Sequence, residues 1–199
     1  MQDEIEAKFV DQNHDQIRER LIKIGGICHQ PMRLMKRAIL DFPDSRLTAI
    51  HAYVRVRDEG DKTTVTYKQD SDNAFGSARE IETTVGSLDS MVSMLEVLGM
   101  QIQSRQESKR ETWHTHDVEV VLDIWPWLEP FIEIEGPTKG AVQRVAKQLG
   151  LDWNQAVFGS VTEIYKIQYP DIERNGLVST IPSISFGAPV PGWFNAKEK

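Results

Sequence analysis

Charged and apolar residues alternate at period two in one short segment after another, and no other feature limits the possible folds of this chain as strongly. Glu4-Ile5-Glu6-Ala7-Lys8-Phe9-Val10 sets the pattern. Ile5, Ala7 and Phe9 fall on one side of an extended chain, with Glu4, Glu6 and Lys8 on the other, as expected of a strand with one face on a core. Further strands are expected over 32–42, 52–57, 63–68, 78–85, 103–113, 118–124 and 131–135, the third and fourth of the series joined by a hairpin turn centred on Glu59-Gly60. Helical stripes predict helices over about 15–24, 88–98, 138–149 and 161–169. Capping-box spacing at Asn13/Gln16 and Ser160/Glu163 and glycines at 25–26, 99 and 150 mark their ends. Eight strands in short-loop succession predict an α+β protein with an antiparallel sheet or barrel instead of alternating βαβ units. The pattern fades after Pro170, so 1–170 is taken as one domain and 171–199, with Pro182, Pro189 and Pro191, as an irregular C-terminal tail.

Composition narrows the partners. The net charge of −7 over 199 residues argues against a dedicated nucleic-acid binder, which needs a basic face for counterion release. It leaves small polyanions open, because a few clustered Lys and Arg outweigh a negative exterior inside a pocket. No apolar run approaches a membrane span, the N-terminus lacks an export signal, and the single Cys28 excludes an internal disulfide. The expected compartment is the cytosol.

The polar faces of the strands carry the chemistry. Same-face neighbours at i and i+2 lie about 6.5–7 Å apart. Glu4/Glu6, Glu80/Glu82 and Glu133/Glu135 are therefore carboxylate pairs, and Arg55/Arg57 is a guanidinium pair. On an open sheet, water would screen the repulsion. If the amphipathic helices instead pack outside a closed barrel, both signs of charge line its interior. Mg²⁺ prefers carboxylate oxygens together with water and substrate phosphate, while Arg and Lys suit phosphate. Lys8, Arg55, Arg57, Lys68 and Arg110 are candidate phosphate ligands on this reading.

Glu4-Ile5-Glu6-Ala7-Lys8 resembles the ExExK signature of the CYTH, or triphosphate tunnel metalloenzyme, superfamily. Arg55-x-Arg57, Lys68, Glu80-x-Glu82, Lys109-Arg110, Asp123 and Glu133-x-Glu135 follow in that family's order, over about residues 1–169. The resemblance implies a closed eight-stranded antiparallel barrel, or tunnel, with helices outside. It implies metal ligation by Glu4, Glu6, Asp123, Glu133 and Glu135, phosphate binding by Lys8, Arg55, Arg57, Lys68, Lys109 and Arg110, and catalytic roles for Lys8, Glu82 and Arg110. Two departures bear on selectivity: Val161 replaces the usual aromatic after the serine, and Ile39-Leu40-Asp41-Phe42-Pro43 replaces the commoner aromatic-Asp-Thr-Pro.

Other signals are weaker. Cys28 has no His placed beside it by any pattern, His114-Thr115-His116 reads as a hairpin tip, and Gly136-Pro137-Thr138-Lys139-Gly140 has the wrong spacing for a P-loop. The expectation is a Mg²⁺- or Mn²⁺-dependent phosphohydrolase acting on tripolyphosphate or on nucleoside or thiamine triphosphate. The alternatives are a class IV adenylate cyclase and a non-catalytic polyphosphate or nucleotide sensor. Expected partners are a small triphosphate, neither nucleic acid nor membrane, with a homodimer left open.

Overall fold

The computed structural model describes residues 2–70, 78–170, 172, 178–192 and 194; for residues 2–4, 70, 78 and 180 it describes the backbone alone. Its strands are β1 (Gln2–Phe9), β2 (Ile27–Asp41), β3 (Ala52–Asp58), β4 (Thr63–Asp70), β5 (Ala78–Val85), β6 (Gln101–Thr115), β7 (Val118–Ile124), β8 (Phe131–Gly136) and the two-residue β9 (Ser183–Ile184). Its α-helices are α1 (His14–Lys23), α2 (Leu88–Val97), α3 (Lys139–Gln148) and α4 (Val161–Gln168). None is long and apolar enough to cross a membrane.

Each helix starts where a short polar side chain can accept an orphan amide. Asn13, Ser87, Thr138 and Ser160 cap the four in order, accepting from Gln16, Ser90, Ala141 and Thr162. Gly60, at φ 91°, supplies the left-handed conformation that the β3–β4 turn needs. β2 starts earlier than its hydrophobic pattern indicates, because its polar first part pairs with β6 from Ile27↔His114 onward. Tertiary pairing, not local alternation, sets that end.

The strand order is β2-β3-β4-β5-β1-β8-β7-β6-β9, with a further β2–β6 ladder. The ladders among β1 to β8 are antiparallel; β9 runs parallel to β6. The expected uniformly closed barrel is not what forms. At β1 the two ladders meet end to end: Gln2–Glu4 pair with β5 and Ile5–Phe9 with β8. The result is a tunnel with a seam along β1. Val157 fills part of that seam, exchanging two backbone hydrogen bonds of 2.9 Å with Lys8.

The apolar faces point outward under the helices. Ala7, Phe9, Val120, Leu122, Ile132 and Ile134 meet Ile17 and Leu21 of α1 and Val142, Val145 and Leu149 of α3. Ala38, Leu40 and Val56 meet Val92 of α2. A third cluster borders the cavity: it joins Trp125 and Phe131, which line it, to Ile164 and Tyr165 of α4 and to Ile181, Ile184 and Phe194. Each such aliphatic side chain contributes on the order of 1.5–3 kcal/mol by leaving water. With that face buried outside, the alternation leaves the charged face no place but the interior.

Candidate active site

A cavity of about 900 Å³ runs through the strands, lined by Glu6, Lys8, Arg33, Arg37, Arg55, Arg57, Glu59, Lys68, Glu80, Glu82, Arg110, Asp123, Glu133 and Glu135, with Val161 and Lys166 of α4 among the other residues on its wall. Glu6, Lys8, Arg37, Asp123 and Glu133 are all more than nine-tenths buried. Charges at such depth persist only where they are paired or await a partner.

One wall is built by β1 and β8, whose register sets Glu6 opposite Glu135 and Lys8 opposite Glu133. Glu6, Glu133 and Glu135 each offer an oxygen within 4.8 Å of the others. Lys8 Nζ donates to Glu6 Oε1 at 2.6 Å and stands 3.5 Å from Glu133 Oε2. Burial by itself pushes the Lys8 ammonium down, but the Glu133 and Glu6 carboxylates outweigh it and hold it above its ordinary value. Burial, and repulsion from Glu133, push the Glu6 carboxyl up. Glu133 is held below the usual carboxylate range: burial raises it, and Lys8 and Arg110 more than offset that. Lys68, 2.7 Å from Glu80 and 4.0 Å from Glu6, closes this wall toward β4.

The facing wall is basic. Arg55 and Arg57 project from β3, Arg57 binding Glu59 Oε1 at 2.6 Å and Arg55 lying 3.8 Å from Glu82. Burial, then Arg55 and Arg110, bring the Arg57 guanidinium down to about 10. Glu82 accepts from the Thr66 hydroxyl at 2.7 Å. Arg110 binds both oxygens of Asp123, at 2.8 and 2.5 Å, and approaches Glu133 at 3.7 Å.

Of the residues expected in the site, Glu6, Lys8, Arg55, Arg57, Lys68, Glu82, Arg110, Asp123, Glu133 and Glu135 line one cavity. The Glu4 side chain lies outside the described residues. Asp123 is in the cavity but outside the carboxylate trio, its oxygens engaged by Arg110. Lys109 is a correction. Alternation sends it to the opposite face of β6 from Arg110, where it is exposed and its ammonium stands 5.1 Å from the Phe186 ring. Sequence reasoning missed Arg33, Arg37, Glu59 and Thr66. For Arg37 the signal was present but ambiguous: Lys36 and Arg37 are adjacent charges on opposite faces, and only the register Arg37↔Arg57 reveals which one points inward.

None of the curated proteins compared with the chain matches it. Among solved structures, a proposed adenylate cyclase from Vibrio parahaemolyticus is 21% identical, with a TM-score of 0.72 over 82% of this chain and 97% of that one. A protein from Pyrococcus horikoshii is 22% identical, with a TM-score of 0.65 over 77% and 94%. A proposed adenylyl cyclase from Hippeastrum with a dominant triphosphatase activity is 13% identical, with a TM-score of 0.58 over 92% and 100%. These likenesses establish the fold. The CYTH domain family matches residues 2–160, most of the chain and every strand of the tunnel, and the protein belongs to that family.

Proposed function

We propose that this protein is a divalent-metal-dependent phosphohydrolase that cleaves the terminal phosphoanhydride of tripolyphosphate or of an organic triphosphate. The observation that supports it most is the opposition of two walls in one cavity: a carboxylate trio, the buried Glu6 and Glu133 with the half-buried Glu135, across from the guanidinium groups of Arg55 and Arg57. Carboxylates at such spacing repel a polyanion unless a cation stands between.

The donor set suits Mg²⁺ or Mn²⁺. It is all oxygen, it is gathered to within 4.8 Å, and it leaves positions for water and phosphate oxygens, as hard octahedral cations require. Glu6, Glu133 and Glu135 would hold the ion, with Glu4 a further ligand from the same strand. A cation held there would supply charge neutralisation to the phosphate chain as it is cleaved. Arg55, Arg57, Lys68 and Arg110 would bind the phosphate chain and fix it for in-line attack. Lys8 would neutralise an oxygen next to the carboxylates. Glu82, anchored by Thr66, would orient the attacking water.

Orthophosphate release from tripolyphosphate, ATP and thiamine triphosphate, each with Mg²⁺ and with Mn²⁺, tests this reading. Glu6→Gln and Glu135→Gln are each expected to lower turnover by about 100-fold or more with the thermal transition retained. Full activity in either variant would remove the assignment. The resemblance in fold to the Vibrio protein makes cyclisation the second reading. Pyrophosphate and cyclic AMP in place of orthophosphate would favour it.

A further inference from the structure

Arg37 is the one arginine of the cavity wall that sequence reasoning left out and that pairs with no carboxylate among the described residues. Arg57 has Glu59, Arg110 has Asp123, Arg33 has Glu59 and Arg55 has Glu82 at 3.8 Å. Arg37 is 7% exposed. Its guanidinium carbon lies 4.4 Å from the centroid of the Trp125 ring, and its Nη2 donates to the Ser108 hydroxyl. Its Nε has no hydrogen-bond partner, and neither does Trp125 Nε1, although both atoms are buried and both residues line the cavity. Leaving buried donors unmade costs about 1–3 kcal/mol each, more for a charged group. A stack that fixes a guanidinium while its Nε–H stays unpaired is a prepared site for an anion.

Its position adds to this. In the strand order β2 lies four places from β1 in either direction around the β2–β6 ladder, so Arg37 stands on the wall facing Glu6 and Lys8. It is in register with Arg57 on β3 and with Gln106 on β6, about 4.5–5.5 Å away at Cα. Burial, then Arg57, Arg55 and Arg110, depress its guanidinium well below the ordinary value, a strain that a bound anion relieves.

We propose that Arg37, braced by Trp125 and Ser108, is a further substrate-binding residue that takes a phosphoryl oxygen at the end of the chain remote from the carboxylate trio. This makes the site one for a linear polyphosphate that touches both walls. The inference rests on the phosphohydrolase reading for the identity of the anion, but its test reads binding, not turnover.

Inorganic tripolyphosphate is titrated calorimetrically with Mg²⁺ into wild type, Arg37→Gln, Arg37→Lys and Lys109→Gln. Mn²⁺ binding without phosphate is followed by electron paramagnetic resonance, and folding by thermal unfolding. Arg37→Gln is expected to weaken tripolyphosphate binding by about tenfold or more, with Mn²⁺ binding unchanged. Arg37→Lys, which keeps the charge without the fork, should fall between, and Lys109→Gln should match wild type. If Arg37→Gln does not fold, Arg37→Lys carries the comparison. Wild-type affinity in the folded Arg37 variants overturns the inference and leaves the proposed function standing. A wild-type protein that binds neither Mn²⁺ nor tripolyphosphate overturns both.

Discussion

Lys8 is buried between two carboxylates, and its charge is what lets Glu6 and Glu133 approach each other. Replacing it by Met keeps the aliphatic stem and removes the compensation. Lys8→Met is therefore expected to destabilise the fold by about 3 kcal/mol, the usual cost of leaving one side of a buried pair, measured by urea unfolding in EDTA. Adding Mg²⁺ should return part of that loss, because the carboxylates then need another cation. No recovery would count against the trio as a metal site. At this scale the sequence was informative where charged residues recur at i and i+2 with apolar ones between, as in Glu4/Glu6/Lys8 or Glu133/Glu135. It was blind at Lys36-Arg37 and at Lys109-Arg110, where neighbouring like charges sit on opposite faces and local pattern offers no way to choose between them.

Among the elements, β2 and the loop after it are held by Asp41. Its carboxylate accepts from the amides of Phe42, Leu47 and Thr48 at 2.6, 3.1 and 2.9 Å and from the Thr48 hydroxyl at 2.7 Å. Burial raises its pKa, but these donors, led by the Thr48 hydroxyl, outweigh burial and keep it below the usual carboxylate range. A depressed folded-state value gives stability that is complete above the unfolded pKa near 4 and is lost as pH falls through the folded one. Asp41→Asn should accordingly cost about 2 kcal/mol at pH 7, with the gap to wild type narrowing below about pH 4, as seen in unfolding curves across pH. A gap constant down to pH 2 would contradict this. Thr138→Ala should remove the α3 cap for about 1 kcal/mol, read by thermal unfolding, without touching the cavity. Strand and helix placement was legible because helix stripes, caps and turn glycines act locally. The early start of β2 and the β9 pairing were not, because both depend on a partner strand distant in sequence.

For the whole molecule, apolar exterior faces under helices and a charged interior make ligand binding a stabilising event. Tripolyphosphate with Mg²⁺ at 100 times the dissociation constant is expected to add about 2.7 kcal/mol, raising the thermal midpoint by roughly 5–10 °C for a chain of this size. EDTA should cancel most of the shift, and an unchanged midpoint would contradict the cavity as a triphosphate site. That the charges converge followed from the sequence once the helices were given an exterior to cover. The seam was hidden, since nothing in β1 itself announces that its partner changes after Glu4.

That seam ties two distant parts of the chain mechanically. The amide and carbonyl of Lys8 are held on the open side by Val157, three residues before the serine that caps α4, a helix with side chains on the cavity wall. The chain cannot swing at 157–160 without releasing the backbone that carries the buried ammonium. Deuterium uptake at the Lys8 amide thus becomes a gauge of how firmly α4 is seated, readable with no substrate in the tube.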